Sequence, residues 1–177
     1  MIHTDRLILR PLEMSDLDEL IAYQSKAQVV KYIPWPERTP EQVIEAIEKS
    51  FSLTGLANEG DYYVLGFALK DTNKIIGQLN ACFESAANKT ASIGWVLNPQ
   101  FSGEGYATEA VRAWIDHIFA TYDFHRLTAK IDQRNIGSAD LAKRVGMRKE
   151  GEFREDDFFK GEWTSTWQYA LLRSELS

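Results

Sequence analysis

Polar and apolar residues alternate from Arg6 to Leu12 about Leu7 and Leu9. That period of two predicts a strand that ends near Pro11. The period then lengthens. Leu17, Leu20, Ile21 and Gln24 share one helical face, and Ser15 and Asp18 have capping-box spacing, so a helix is expected to run to about Ser25. Pro34-Trp35-Pro36 interrupts the pattern, because proline lacks the N–H that regular helix and central strand both use. Thr39 with Gln42, and Pro40 at the first helical position, start a second helix with the stripe Val43, Ile44, Ile47 and Phe51.

Residues 62–70 and 74–84 read as strands of a hairpin turned by Asp71-Thr72-Asn73, and residues 90–97 as a third strand stopped by Asn98-Pro99. Ala107, Val111, Trp114, Ile115, Ile118 and Tyr122 recur at helical spacing between Gly103 and Tyr122. A strand over 127–132, a short helix over 135–145 closed by Gly146, and strands over 147–154 and 163–172 complete the chain. No repeat or linker divides it, so residues 1–177 form one domain. A hairpin group followed by strand–helix–strand predicts an α/β fold, a mixed sheet with helices on both faces. In such sheets ligands sit beyond the carboxyl ends of strands, where neighbours diverge.

Composition narrows the function. With 44% hydrophobic and 26% charged residues in 177, the chain is globular rather than disordered. Its net charge of -6 makes it a poor binder of nucleic-acid backbones. Neither a leader-like first segment nor a bilayer-length apolar run is present, so a cytoplasmic protein without membrane contact is expected. The single cysteine, Cys82, excludes a disulfide framework and reads as a small buried side chain, and no metal-ligand spacing occurs. His117 falls on the polar side of its helix and His125 precedes a strand, neither with the neighbours of a catalytic dyad. Trp163, Trp167 and Tyr169 belong to the core or to an interface of a homodimer.

The chemistry concentrates in Asn98-Pro99-Gln100-Phe101-Ser102-Gly103-Glu104-Gly105-Tyr106-Ala107. Two glycines allow close backbone approach, and the first amides of the following helix lack intrahelical partners at the positive end of its dipole. This is a pyrophosphate cradle, or a glycine-rich loop that only turns the chain. An NTPase loop would end in Gly-Lys-Ser/Thr, and Gly105-Tyr106-Ala107 stands there. A dinucleotide fingerprint would carry a third small residue where Thr108 stands, which argues against a nicotinamide-dependent oxidoreductase.

Together with its surroundings this loop resembles the GNAT superfamily of acyl-CoA-dependent N-acyltransferases. Thr4-Asp5-Arg6-Leu7-Ile8-Leu9-Arg10-Pro11, Ile93-Gly94-Trp95-Val96-Leu97, Gly105 to Ala110, and Asn135 to Ser138 followed by Lys143-Arg144-Val145-Gly146-Met147 are similar to the subgroup that acetylates ribosomal-protein N-termini. The resemblance implies a mostly antiparallel sheet with one splayed parallel pair, residues 90–97 and 127–132, that holds acetyl-CoA. It implies that amides of Gly103, Glu104, Gly105, Tyr106 and Ala107 face the pyrophosphate. Val96 and Leu97 would pair with the pantetheine arm, and an amide near Leu97 would polarise the acetyl carbonyl. Asn135 matches an asparagine that bonds that arm; a helix N-cap is the lesser alternative.

The implied reaction is direct attack of a primary amine on the thioester. Many family members place a tyrosine acid where Ala142 stands; Ser138 matches the hydroxyl that the ribosomal subgroup uses instead, and a helix-packing role is as good a reading of it. Glu84 is the candidate base, directly or through water, with Asp156 and Asp157 as other acids on the acceptor side, all three compatible with plain solvation. Trp35 is a candidate lid over the acceptor cleft, or core. Ser165 replaces an aspartate common in the subgroup's final strand. The acceptor implied is a protein N-terminus. A polyamine, aminoglycoside or amino acid, and a non-catalytic acyl-CoA-binding domain, are the alternatives.

Overall fold

The computed structural model describes residues 1–176. Eight strands form one sheet in the order β1-β2-β3-β4-β5-β6-β8-β7. They are β1 (Ile2–His3), β2 (Leu7–Arg10), β3 (Tyr62–Leu69), β4 (Ile75–Ser85), β5 (Thr90–Leu97), β6 (Arg126–Asp132), β7 (Arg148–Phe159) and β8 (Glu162–Leu172). The helices are α1 (Leu17–Gln24), α2 (Ala27–Val30), α3 (Pro40–Ser50), α4 (Tyr106–Thr121) and α5 (Ile136–Arg144). All strand pairs are antiparallel except β5 with β6.

Strand alternation divides the sheet between two cores. Leu65, Phe67, Ala91, Ile93, Leu127, Ala129 and Ile131 join α4 and α5 in the larger one. Val64, Ala68, Ile75 and Val96 join α1 and α3 in the smaller. Trp114 is fully buried in the larger core, and its indole N–H donates to the Asn80 carbonyl at 3.2 Å. That bond offsets the cost of taking the indole N–H out of water.

Several sequence expectations are corrected. Ser15 does not cap α1. A 3₁₀ turn, Met14–Asp16, precedes the helix, and the Asp16 carboxylate accepts the Glu13 N–H at 2.8 Å. Asp16 also forms a buried two-point pair with Arg10 at 2.7 and 2.8 Å, which joins the end of β2 to the entry of α1. Thr39 and Gln42 do cap α3 reciprocally, but Phe51 lies past its end and is 52% exposed. Strand β7 is longer than expected. Glu155 has φ +48° and the register shifts between Phe153 and Asp157, so Asp156 and Asp157 lie inside a bulged edge strand rather than between strands. Trp163 is 62% exposed at the hairpin tip, whereas Tyr169 is core. Cys82 is half-buried, and burial, then the Glu84 carboxylate, raise its thiol pKa, consistent with an unreactive side chain.

Candidate active site

Strands β5 and β6 part company after three residue pairs. Thr90, Ala91 and Ser92 stand opposite Arg126, Leu127 and Thr128. Beyond them β5 stays on β4 as far as Leu97, and β6 stays on β8 as far as Asp132. The facing edges of residues 93–97 and 129–132 are thus left without each other, a wedge-shaped gap inside one sheet. Two hydrogen bonds fix which peptide groups line it. Asn98 N–H donates to the Ile76 carbonyl at 2.8 Å, toward β4, and the Lys89 carbonyl accepts from His125 N–H at 2.7 Å, toward β6. Strand alternation then turns the N–H and C=O of Ile93, Trp95 and Leu97 into the gap, and those of Val96 back to β4.

The open end of the gap meets the turn before α4. Gly103 and Gly105 have φ of +89° and +81°, a region costly for residues with a Cβ. Gly105 is the N-cap of α4, and the first helical bond runs from Glu109 N–H to the Gly105 carbonyl at 3.0 Å. The N–H groups of Tyr106, Ala107 and Thr108 precede that bond, free at the positive end of a helix of 16 residues.

A latch from the turn between β1 and β2 that sequence reading missed holds the turn before α4. Glu109 accepts from the Thr4 hydroxyl at 2.6 Å, the Arg6 N–H at 2.8 Å and Arg6 Nε at 2.7 Å. Arg6 Nη1 donates to the Glu104 carbonyl at 2.9 Å, and the guanidinium lies 4.4 Å over the Tyr106 ring. Because a trans peptide points its C=O and N–H in opposite directions, fixing the Glu104 carbonyl on Arg6 turns the Gly105 N–H away from it. Partial burial works against the Glu109 carboxylate, but the bonds from Thr4 and Arg6 outweigh it and hold its pKa below the ordinary 4.5. A folded-state pKa below the unfolded value stabilises the fold above pH 4.5, and that contribution fades as pH falls through the folded value. Melting curves of the wild type and Glu109→Gln are therefore expected to converge on acidification below pH 4.5 and to differ most at neutral pH.

The remaining candidate residues are distributed as follows. Asn135 caps α5, its Oδ1 accepting Ser138 N–H at 3.2 Å, which leaves its amide NH₂ free. The Ser138 side chain is half-buried in the first turn of α5. Glu84 lies at the closed end of the gap, where Thr128 donates to it at 3.3 Å. It stands near the level of Ala91, and Leu97 is six residues further along β5, roughly 20 Å away at strand rise, so the structure does not bring Glu84 and Leu97 together. Asp156 accepts from Thr166 at 2.8 Å and pairs with Lys130 at 3.0 Å. Burial opposes its ionised form, and the bonds from Lys130 and Thr166 prevail and lower its pKa. It remains an anion at neutral pH and is a weak base. His117 stacks on Trp114 at 5.7 Å, and burial lowers its pKa. Trp35 is half-buried in the connection between α2 and α3.

The arrangement suits acetyl-CoA. Its pantetheine arm carries amides that can pair with open strand edges, and its diphosphate matches free amides at a helix N-terminus. Among the described residues the buried indole N–H groups of Trp95 and Trp167 and the Gln133 amide have no partner; Trp95 lies on β5 and Gln133 directly follows β6. Among the described residues no cluster of His, Cys, Asp or Glu suits a metal, and no helix is long and apolar enough to cross a membrane.

Comparison with known proteins agrees with this geometry. The pattern of the acetyltransferase (GNAT) domain matches residues 6–148. An uncharacterised N-acetyltransferase, YnaD, from Bacillus subtilis is 33% identical over 175 residues, 98% of each chain. The crystal structure of a GNAT-family acetyltransferase from Bacillus anthracis superposes with a TM-score of 0.87 at 29% identity, covering 98% of this chain and 99% of that one. The self-immunity acetyltransferase MccE, solved with acetyl-CoA and AMP, has a TM-score of 0.82 at 25% identity over 96% of this chain and 93% of its own. More distant relatives from Escherichia coli divide by substrate. A spermidine N(1)-acetyltransferase is 22% identical over 94% of this chain and 86% of its own. A ribosomal protein uS5-alanine N-acetyltransferase is 28% identical over 62% and 51%. The chain belongs to the GNAT acetyltransferase family and is an N-acetyltransferase.

Proposed function

We propose that this enzyme holds acetyl-CoA by the turn at Gly103–Ala107 and the gap between β5 and β6, and acetylates a primary amine on the opposite face of the sheet. The observation that carries the reading is the continuity of the two features: unpaired strand edges run directly into the free amides of α4. When bound, acetyl-CoA supplies a thioester whose carbonyl carbon the amine nitrogen attacks, the amide bond forming as the carbon–sulfur bond breaks and the thiolate takes up a proton.

The chain's own residues divide the work. The N–H groups of Gly103, Glu104, Gly105, Tyr106 and Ala107 neutralise the diphosphate without a cation, which suits a chain of net charge -6. Trp95 and Leu97 act as the strand edge for the arm. Val96 contributes its buried side chain to the core under α1, and its peptide groups hold β5 on β4. The Leu97 N–H donates to the developing oxyanion. The free amide of Asn135 bonds the arm. The Ser138 hydroxyl donates to the departing sulfur. A thiol has a pKa of about 8.5, so the thiolate leaves readily with only that assistance. Ser138→Ala is expected to reduce kcat roughly tenfold, the scale of one charge-assisted hydrogen bond, with CoA affinity unchanged; unchanged kcat would remove Ser138 from the reaction. Glu84, roughly 20 Å along the strand from Leu97, is beyond the reach of one water from an acetyl group there and is not the base for an amine at that point.

The acceptor is the N-terminal amine of a polypeptide, the reading that the motifs at Thr4–Pro11 and Asn135–Ser138 support, and Trp35 covers it. Spermidine is the alternative, favoured by the spermidine acetyltransferases among the relatives. Thiol release from acetyl-CoA, measured across peptides, amino acids and polyamines, tests the assignment. Release with a peptide amine supports it, and failure to bind CoA would contradict it.

A further inference from the structure

Beneath the smaller core a line of polar side chains runs from the sheet to a cation with no counterion. Gln78 on β4 stands opposite Val96 on β5. Its Oε1 accepts from the Tyr23 hydroxyl at 3.0 Å and from Gln24 Nε2 at 2.6 Å. Gln24 Oε1 accepts from Arg38 Nη1 at 2.8 Å, and the Gln24 carbonyl accepts the Arg38 N–H at 3.2 Å. Tyr23 and Gln24 are 0% and 1% exposed, so the line is rigid from the sheet outward. At its end the guanidinium lies over the Trp35 ring, its central carbon 4.4 Å from the ring centre.

Arg38 is half-buried, yet among the described residues no carboxylate lies within ion-pair distance of it. Gln24 uses one of the five guanidinium donors. The Trp35 indole N–H beside it is buried and has no acceptor either. Burial lowers the Arg38 pKa, as expected of a cation that has lost water and gained no anion. A charge held this way is costly, and such costs are retained at binding sites.

Arg38 and Trp35 line a cleft of about 270 Å³ with Pro36, Gln42, Glu45 and Lys49, and across Pro36 lies a second cleft of about 440 Å³ between Ala27–Glu37 and the β7–β8 hairpin. Arg134 in its wall is neutralised by Asp132 and Glu162. Lys31 and Lys160 have no ion pair among the described residues, and Lys160 is spent on the Val30 carbonyl. A carboxylate would meet a planar, braced guanidinium of the geometry that binds it at two points.

We propose that Arg38, braced by Gln24 and Trp35, binds a carboxylate carried by the acceptor, so that the substrate is an amine with an anionic group close by. The inference rests on the assignment of the acceptor face above. The carboxylate comes either from a free α-amino acid or from an acidic side chain behind a peptide N-terminus.

The test uses matched pairs: α-amino acids against their amides, and tetrapeptides with Asp or Glu at the second position against Asn or Gln. Each is measured for thiol release and, by calorimetry, for binding to the CoA-saturated protein. The carboxylate member is expected to exceed its partner about tenfold in kcat/KM or affinity, the worth of one charge-assisted contact. Arg38→Gln should bring that ratio near one through KM, with KM for acetyl-CoA unchanged, and Arg38→Lys should restore part of it. The amino-acid and peptide pairs tell the two sources apart. A preference for the amides or for spermidine, no preference in turnover and binding alike, or an intact preference in Arg38→Gln would overturn the proposal. Loss of CoA binding by the wild type would instead strike the assignment on which it rests.

Discussion

Leu97→Pro is expected to lower kcat by about 10²–10³ while the protein still folds and still binds CoA, since removal of one oxyanion donor has that effect. The substitution is informative because of where the Leu97 N–H points. Asn98 N–H donates to β4, so by alternation Val96 also faces β4 and Leu97 faces the gap. A proline at 97 therefore removes no ladder bond, and it asks of Val96 only the extended backbone that it already has. Leu97→Ala is the control: it removes the same half-buried side chain and keeps the N–H. Near-normal kcat in Leu97→Ala beside a large loss in Leu97→Pro assigns the effect to the amide. Equal losses would assign it to packing. Val96→Pro, which deletes a ladder donor in a buried strand, should instead lower the melting temperature sharply.

Gly105→Val is expected to weaken CoA binding about 100-fold. The residue sits at φ +81°, where a β-branched side chain costs on the order of 1–3 kcal/mol, and relief of that strain moves the very N–H groups that meet the diphosphate. Loss of one charge-assisted bond adds about 1.5–3 kcal/mol, and the combined effect amounts to at least two decades of affinity. Gly103→Ala is the gentler companion. A Cβ there meets nothing within 4 Å, so only the backbone term at φ +89° remains and the loss should be nearer tenfold, about 1.4 kcal/mol. S-acetyl-pantetheine, which lacks the diphosphate, separates the contributions. Both variants should use it as well as the wild type does, and a parallel loss with that substrate would mean that the turn does not hold the diphosphate.

What the sequence made legible was local. The glycines at 103 and 105, the Asn98-Pro99 stop and the stripe of α4 each act within a few residues of themselves, so the turn before α4 is legible from spacing, while its reading as a diphosphate cradle needed the resemblance. The splayed pair needed the resemblance as well, because period-two alternation gives a strand but not its neighbour. The Thr4–Arg6–Glu109 latch joins residues more than 100 positions apart in sequence, and no local pattern marks it. The line from Gln78 to Arg38 is hidden for the same reason: glutamines in a helix and a strand look like surface until the packing buries them. Strand β7 was cut short at Arg154 because its residues are nearly all exposed and a bulge at Glu155 breaks the alternation that would have extended it. Trp95, not Val96, faces the gap because facing depends on strand parity, which the hydrogen bonds of Asn98 and His125 fix and composition does not.

A crystal of the protein soaked with CoA is the most direct measurement. The account predicts density for the diphosphate against the amides of residues 103–107 and for the pantetheine arm between β5 and β6, paired with Trp95 and Leu97. Density for the diphosphate at any other surface, with the gap between the two strands empty, would contradict it.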